Sequence, residues 1–235
     1  DETAVDFLES LDVPAYKIAS FENNHIPLIK KIAKTKKPVI LSTGMASLDE
    51  IRRAIEVLKE NGCNEYCLLK CTSTYPANPK DSNILTIPEL KKIFNCEVGI
   101  SDHTPGIGTS VGAVALGASV IEKHITLDRN DKGVDSEFSL EPNEFKYLVR
   151  ECHQAWQSLG KILIGPTKRE MKSIKFRRSI YSIIDISKGQ TITKDMIKVV
   201  RPNYGLDPRY YDEILGKKIN VDLKKFSPLK LEFFN

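Results

Sequence analysis

His103 and His124 are the two residues of this 235-residue chain that most invite chemistry. Each comes at or just after the end of a short apolar stretch of strand-like sequence, and the two stretches follow one another along the chain. A lone histidine is more often a packed or surface residue, but two at neighbouring strand ends bring their imidazoles toward one point. Two imidazoles, completed by substrate oxygens and water, suit a borderline divalent ion such as Mn²⁺. The pair therefore predicts a metal site.

Lys17 and Glu22 bracket the end of an earlier strand-like stretch. A lysine there can neutralise a phosphate or carboxylate, and a carboxylate near a metal-bound water can hold that water or take its proton. A salt bridge between the two at the strand edge explains their spacing equally well. Hydroxyl side chains at the strand ends add donors around the same opening: Ser20, Ser42, Thr43, Ser73 and Ser101. Together these residues predict a site for a small ligand with several negative charges.

Strand-like and helix-like stretches alternate through the first 160 residues. The predicted strands are 15–20, 38–43, 66–72, 97–101 and 120–126, and the predicted helices are 26–35, 47–61, 87–94, 107–117 and 142–159. This alternation predicts a parallel sheet with right-handed crossovers, in which functional groups gather at the carboxyl ends of the strands. The pattern has fewer strand–helix units than a complete eight-unit barrel, and residues 1–13 read as the tail of a further helix. We therefore expect the chain to be a fragment of a longer protein.

The sequence changes character after Gly160. Strand-like residues 178–183 and a helix-like stretch at 193–200, separated by turns that contain Gly and Pro, predict a compact β-rich module. Residues 161–235 hold 17 Lys and Arg against 8 Asp and Glu, a net charge of +9, whereas residues 1–160 carry −5. The basic residues are scattered among apolar ones without a stacking motif or a reading helix, so nucleic acid is not an expected partner. A solvated face, or attraction toward an anionic substrate, is the expected role of this charge.

Composition excludes several classes of protein. The chain is 41% hydrophobic and 28% charged, which is typical of globular domains with a sizeable core rather than of disordered or fibrous proteins. No apolar run approaches the roughly 20 residues needed to cross a bilayer, and the first ten residues lack the pattern of a secretory signal. The five cysteines are too sparse for a disulfide scaffold and are expected to be buried or half-buried thiols. These features predict a cytoplasmic protein without a membrane span.

Five short motifs resemble, in the same order, those of the sialic acid synthase family. They are Lys17–Glu22 (KIASFE), Leu41–Ala46 (LSTGMA), Cys71–Pro76 (CTSTYP), Ser101–Thr104 (SDHT) and Glu122–Asp128 (EKHITLD). The carboxyl-terminal module resembles the antifreeze-like (SAF) domain of that family. The resemblance implies an α/β fold, with residues 1–160 as the last five units of a partial (β/α)8 TIM barrel, 161–175 as a linker and 176–235 as the SAF domain. Residues 133–142 (GVDSEFSLEP) look most like the pseudaminic acid synthase branch.

The resemblance also implies a reaction and the residues that carry it. Phosphoenolpyruvate would condense with 2,4-diacetamido-2,4,6-trideoxy-L-altrose to give pseudaminic acid and phosphate. His103 and His124 would hold Mn²⁺ or Mg²⁺, which polarises the sugar aldehyde, and Glu22 would position or activate the water that adds to C2 of phosphoenolpyruvate. The implied substrate-binding residues are Lys17, Ser20, Ser42, Ser73 and Ser101, chiefly for phosphoenolpyruvate, and Tyr75, Asp135 and Arg201 for the sugar. In this family the SAF domain covers the active site of the other subunit of a domain-swapped homodimer, which implies the same arrangement for Arg201.

Two other interpretations stay open. One is a related phosphoenolpyruvate-using synthase that acts on another sugar, such as N-acetylmannosamine or a legionaminic acid precursor. The other is a non-catalytic module that binds sugar or ice, which the antifreeze-like tail suggests. A surface-binding module would have no use for His103, His124, Lys17 and Glu22, so this set favours an enzyme.

Overall fold

The structure, a computed structural model, describes residues 1–234. The chain divides into two compact units, residues 1–160 and the segment that begins at Lys161, and each has a buried hydrophobic core of its own. Asn235, the last residue of the predicted SAF domain, lies outside the described residues. Within residues 1–234, no helix is long and apolar enough to span a bilayer.

Five parallel strands and six helices alternate along the first unit. The strands are β1 (Tyr16–Ile18), β2 (Val39–Ser42), β3 (Tyr66–Cys71), β4 (Glu97–Asp102) and β5 (Ile121–Lys123). The helices are α1 (Glu2–Ser10), α2 (Ile26–Lys34), α3 (Leu48–Glu60), α4 (Thr86–Phe94), α5 (Gly108–Ala115) and α6 (Pro142–Leu159). Strands that follow one another in sequence are also neighbours in the sheet, in the order β1–β2–β3–β4–β5. The sheet curls into part of a (β/α)8 barrel, as the sequence predicts.

Capping residues fix the first residues of two helices at the points where their hydrophobic patterns start. Ser47 precedes α3 and forms a reciprocal capping box with Glu50. Pro142 opens α6, where Glu141 and Glu144 form the same kind of box. The bounds of α6 are those that the sequence predicts, and α2 to α5 agree with the predicted helices to within two residues at either end.

The last strand of the sheet is shorter than the sequence predicts. Residues 120–126 are predicted as a strand, but β5 ends at Lys123. Beyond this point the backbone pairs with a returning loop: the Leu140 N–H donates to the His124 carbonyl at 3.0 Å, and the Thr126 N–H donates to the Leu140 carbonyl at 3.0 Å. The residues after β5 are therefore held to this loop by backbone hydrogen bonds.

The register of the sheet separates its two faces. Successive side chains in a strand point to opposite sides, so residues that are paired in parallel strands share a face. One row of pairs, Ile18, Leu41, Leu68 and Val98, belongs to the core and defines the helix-facing side. The opposite, inner side of the curled sheet carries a largely polar set: Lys17, Ser42, Leu69, Cys71, Ser101 and Glu122.

The second unit is built on a small antiparallel sheet. Its strands are β6 (Ser179–Ser182) and β7 (Ile197–Val200), and a short helix, α7 (Tyr211–Ile214), follows. Nine buried apolar residues form the core: Ile180, Ile186, Ile192, Ile197, Leu206, Ile214, Ile219, Leu223 and Leu229.

The prediction of a helix at residues 193–200 is wrong for its second half. A short 3₁₀ helix spans Lys194–Met196, and the chain then enters β7. The β-branched residues Ile197, Val199 and Val200 favour a strand, and Val199 pairs with Ile180 of β6. A partner strand distant in sequence overrides the local helical pattern.

Leu41 and Ser42, adjacent on β2, allow the two faces to be tested separately. Leu41 is fully buried on the helix-facing side, whereas Ser42 is buried on the inner side and its hydroxyl makes no hydrogen bond within residues 1–234. Leu41→Ala should lower the free energy of unfolding by about 2–5 kcal/mol because it opens a cavity. Ser42→Ala should leave that free energy unchanged or slightly raised, because it removes an unsatisfied polar group. Urea denaturation measures both, and a loss of about 2 kcal/mol or more in Ser42→Ala would contradict this view of the inner side.

Candidate active site

The residues predicted to carry chemistry gather at the carboxyl ends of β1 to β5. Lys17 lies in β1, Ser42 ends β2 and Ser101 lies in β4. His103 and His124 directly follow β4 and β5, two residues beyond inner-side positions. The parallel arrangement therefore brings residues that are far apart in sequence to one edge of the sheet.

The two histidines lie against each other at this edge. Their ring centroids are 5.1 Å apart and the rings are inclined by 74°. The His103 Nδ1 lies 3.0 Å from the Thr72 carbonyl oxygen. A carbonyl oxygen only accepts, so this nitrogen carries the hydrogen and the Nε2 lone pair stays free. The His124 Nδ1 lies 3.5 Å from an Asp135 carboxylate oxygen, which favours the same tautomer.

A buried ion pair lies directly behind the histidines, on the helix-facing side. The Lys123 ammonium is 2.9 Å from the Asp102 carboxylate, and their side chains are only 2% and 1% exposed. Asp102 also accepts from the Thr104 N–H and hydroxyl, both at 2.8 Å, and from the Ser110 hydroxyl at 2.6 Å. Each member of the pair immediately precedes a histidine, so the pair sets the separation of the two imidazoles.

The two histidines have different affinities for protons. Burial disfavours the charged form of His103, but the Cys71 thiol and the Thr72 carbonyl outweigh it, and the pKa of His103 is raised. Burial and the neighbouring His103 charge lower the pKa of His124. His124 is therefore the imidazole that more readily stays neutral, which is the form that binds metal.

Cys71, which the sequence leaves among the ordinary buried thiols, belongs to this site. Its sulfur lies 3.9 Å from the His103 Nδ1 and 3.6 Å from the Ser73 hydroxyl. Burial alone would raise the pKa of the thiol, but His103 and the hydroxyls of Ser20 and Ser73 lower it to about 7. All five cysteines are free, as expected, but Cys71 is the cysteine beside the histidine pair.

Lys17 pairs with a carboxylate that the sequence analysis does not select. The Lys17 ammonium lies 3.6 Å from one oxygen of Glu122, and the Ser101 hydroxyl donates to the other oxygen at 2.6 Å. The salt bridge between Lys17 and Glu22 that spacing allows does not form within residues 1–234. Only the pairing of β4 with β5, which sets Ser101 opposite Glu122, reveals this partner.

Buried hydroxyls crowd around a glycine at the end of β2. A Cβ on Gly44 would lie 2.3 Å from the Ser20 Cβ and 2.6 Å from the Ser73 hydroxyl oxygen, so only glycine fits without a shift. Ser20 and Ser42 are buried, and in the described part of the chain neither hydroxyl makes a hydrogen bond of normal geometry, although Ser20 lies close enough to Cys71 to influence its pKa. Unpaired buried hydroxyls are costly unless a ligand or water uses them.

Aromatic side chains close the histidine side of the opening. The Tyr75 ring lies 4.3 Å from the His103 ring and 6.0 Å from the Phe138 ring, which in turn lies 5.2 Å from the His124 ring. Phe138 is missed by the sequence analysis as a site residue, although it lies in the segment used there to select a branch of the family. Hydrogen bonds between Leu140 and the end of β5 bring that segment to the site.

Two predicted residues remain, one in each unit of the chain. Glu22 is half-buried at the end of a 3₁₀ helix, Ser20–Glu22, that follows β1. Burial is the main cause that raises the pKa of Tyr75, and negative groups, Glu22 among them, add to the shift. Arg201 follows β7 in the second unit and is exposed.

The donor set at the site fits a divalent ion in an open site. Residues 1–234 contain no group of three or more His, Cys, Asp or Glu arranged to hold a metal. His103 and His124 supply two free imidazole nitrogens, and a site completed by substrate oxygens and water needs no more protein ligands. Metal-binding histidines commonly have such partners at the other ring nitrogen: His103 has a hydrogen bond to the Thr72 carbonyl, and His124 has the Asp135 carboxylate 3.5 Å away.

Comparison with known proteins gives a family match over most of the chain. The profile of the NeuB family matches residues 1–163, and that of the SAF domain matches residues 177–234. A pseudaminic acid synthase of Campylobacter jejuni is 46% identical over 226 residues, which cover 96% of this chain and 66% of that protein. An N,N'-diacetyllegionaminic acid synthase of the same bacterium is 43% identical over 228 residues, which cover 96% of this chain and 68% of that protein.

A solved structure agrees with the fold of the chain. The N-acetylneuraminic acid synthetase of Leptospira borgpetersenii is 38% identical, with a TM-score of 0.69, and the match covers 75% of this chain and 62% of that one. The chain spans about two thirds of the length of the curated relatives it matches. The names of these three relatives share a class of sugar acid and differ in the particular acid.

We expect His124→Ala to weaken the binding of Mn²⁺ by at least about tenfold while the fold is kept, because the side chain is partly exposed and its removal takes away one of two imidazoles. Isothermal titration calorimetry measures the affinity, and circular dichroism checks the fold. His153→Ala, on the exposed part of α6, is the matched control and should bind as the parent does. Unchanged affinity in His124→Ala would refute the metal site, and unfolding would indicate a core role.

Lys123→Met should lower the free energy of unfolding by about 3–5 kcal/mol, because it leaves the buried Asp102 carboxylate without its counter-charge. Lys91→Met removes a lysine from an exposed pair with Glu97 and should cost less than about 1 kcal/mol. Urea denaturation of both variants gives the comparison. Equal losses would mean that the buried pair does not stabilise the end of the sheet.

Proposed function

This chain belongs to the NeuB family, and on that premise we propose that it acts as a phosphoenolpyruvate-dependent synthase of nine-carbon sugar acids. One observation carries the proposal: the imidazoles of His103 and His124 lie at the same end of the sheet as the Lys17 ammonium and several serine hydroxyls, which are groups suited to an anion. A condensation of an aldehyde with phosphoenolpyruvate needs both halves in one site. The matched relatives carry names of synthases of such acids, which supports the proposal.

His103 and His124 would hold a divalent ion, Mn²⁺ or Mg²⁺. When bound, the ion would supply Lewis-acid polarisation of the sugar's aldehyde oxygen. Thr72 and Asp135 orient the two rings from behind, which fixes the nitrogen that each ring presents. The lowered pKa of His124 keeps this imidazole in the neutral form that binds metal, whereas the raised pKa of His103 means that this ring releases its proton at a higher pH.

The anionic groups of phosphoenolpyruvate would lie on the Lys17 side of the opening. The Lys17 ammonium supplies a positive charge, and the hydroxyls of Ser42, Ser73 and Ser101 supply donors. The Ser42 hydroxyl has no partner in the described part of the chain, so its hydrogen is available to a ligand. Ser20, equally buried, lies beside Ser73 across Gly44 and adds a further donor.

The chemistry follows from this division of the site. C3 of phosphoenolpyruvate forms a bond to the aldehyde carbon, and water adds to C2. The bond between C2 and the bridging phosphate oxygen then breaks, and the new C2 hydroxyl gives its proton to the departing phosphate and becomes the keto oxygen. Glu22 would take the proton of the added water, and the former aldehyde oxygen gains a proton to become a hydroxyl group. Glu22 is half-buried directly after β1, close in sequence to Lys17 and Ser20, which supports this role.

The sugar that we propose is 2,4-diacetamido-2,4,6-trideoxy-L-altrose, and the product is pseudaminic acid. The identity to a pseudaminic acid synthase supports it, but a legionaminic acid synthase is almost as similar. Phe138 and Tyr75 form an apolar wall beside His124, which suits a substrate that bears methyl groups. Legionaminic acid or N-acetylneuraminic acid precursors are the alternative substrates.

The second unit would complete the site in a domain-swapped homodimer. In this proposal, Arg201 from one subunit contacts the sugar bound to the other. Its exposure and the net charge of +9 on residues 161–235 support attraction to an anion-filled opening. Free cysteines suit a reducing compartment, which supports a cytoplasmic location within the same proposal.

Phosphate release from phosphoenolpyruvate with a panel of sugars tests the proposal. With Mn²⁺ present, we expect kcat/KM for the diacetamido-trideoxy-altrose to exceed that for N-acetylmannosamine by at least about tenfold, a difference of roughly 1.4 kcal/mol in transition-state binding. A legionaminic acid precursor serves as the closely related competitor. Turnover of N-acetylmannosamine alone would overturn the assignment of the sugar. Absence of turnover with every sugar, together with absence of binding of phosphoenolpyruvate, would favour a non-catalytic module.

A further inference from the structure

Glu122 contacts two residues that, in the proposed function, bind phosphoenolpyruvate. Its two carboxylate oxygens are divided between them: one accepts from the Ser101 hydroxyl at 2.6 Å, and the other lies 3.6 Å from the Lys17 ammonium. The side chains of Lys17 and Glu122 are 31% and 40% exposed, so an incoming ligand can reach both.

The arrangement is set by the sheet. Ser101 and Glu122 are directly paired residues of β4 and β5, and both point to the inner side. Lys17 reaches Glu122 from β1, at the other edge of the same curled sheet. The salt bridge between Lys17 and Glu122 therefore joins the two edge strands across the opening.

A phosphate or carboxylate that binds here needs the donors that Glu122 uses. A serine hydroxyl has a single hydrogen, so Ser101 cannot donate to Glu122 and to a ligand at once. The Lys17 ammonium would likewise be shared between the Glu122 carboxylate and the bound anion, and these two negative groups would repel each other. Binding of the ligand must therefore displace the Glu122 carboxylate from Ser101 and from Lys17.

We propose that Glu122 is a positioning residue that stands in for the ligand's anion: it holds Lys17 and Ser101 in place in the free protein and competes with the anion that replaces it. This proposal rests on the proposed function, since that function places phosphoenolpyruvate at Lys17 and Ser101. Its consequence is that the subsite stays ordered between turnovers but binds free phosphate weakly. The product phosphate then leaves to solvent, and the Glu122 carboxylate re-forms its contacts with Lys17 and Ser101.

The test compares anion affinity in the protein and in Glu122→Gln. The glutamine keeps an acceptor for Ser101 and loses the charge that competes for Lys17. At fixed pH and ionic strength, isothermal titration calorimetry with inorganic phosphate, and separately with phosphoenolpyruvate, should show binding about 5- to 10-fold tighter in Glu122→Gln. A merely structural role for Glu122 would weaken binding, because Lys17 and Ser101 would lose their support.

Glu97→Gln is the matched control for net charge. Glu97 begins β4 at the opposite end of the sheet and pairs with the exposed Lys91 at 3.2 Å. This variant loses the same unit of charge and should bind phosphate as the parent does. If Glu122→Gln does not fold, as judged by circular dichroism, Glu122→Asn replaces it with the same expected direction, because it also carries a neutral amide that can accept from Ser101.

The outcomes separate this proposal from the proposed function. If phosphate and phosphoenolpyruvate bind the parent but bind the Glu122 variant no more tightly, the proposed role of Glu122 is wrong. The proposed synthase function is not affected by that result. Binding of neither anion to the parent or to any variant overturns both. Tighter binding in Glu122→Gln and in Glu97→Gln alike would show an effect of net charge and would also overturn the role of Glu122.

Discussion

The buried ion pair between Asp102 and Lys123 is the constraint on which the candidate site depends. Taking both charges out of water is costly, and the cost is offset by their 2.9 Å contact and by three further hydrogen bonds to the Asp102 carboxylate. Such a pair tolerates little change in the spacing of β4 and β5. The next residue on each strand is a histidine, so the rigidity of the pair passes directly to the two imidazoles.

The alternation of side chains along each strand lets one sheet serve two purposes. The helix-facing side carries the apolar core and the ion pair, and the inner side carries Lys17, Ser42, Ser101 and Glu122. Because the faces are separate, polar groups on the inner side can stay unsatisfied without disrupting the core. The Ser42 hydroxyl is an example: it is buried and makes no hydrogen bond in residues 1–234, at a position where the proposed function would bring a ligand.

The sequence allowed the parallel sheet and the strand-end residues to be predicted, because hydrophobic periodicity and the polar ends of strands are local signals. His103, His124 and Lys17 were selected in this way. Glu122, Cys71 and Phe138 were not selected, because their roles depend on register and on a loop that returns to β5. The helix predicted at 193–200 failed for a related reason: the pairing of Val199 with Ile180 is a contact across the sequence that no local window contains.

The attachment of Leu140 to the end of β5 has a consequence for how substrate range can change. The loop from Leu127 to Ser139 leaves the site and comes back to it, and its return is fixed by two backbone hydrogen bonds that involve no particular side chain. A residue such as Phe138 can thus be exchanged without moving the backbone of His124, whereas Asp135, which lies against the His124 ring, has to be kept. A protein built in this way can acquire a new ligand preference through changes within one loop, while the strand ends that carry the histidines keep their positions.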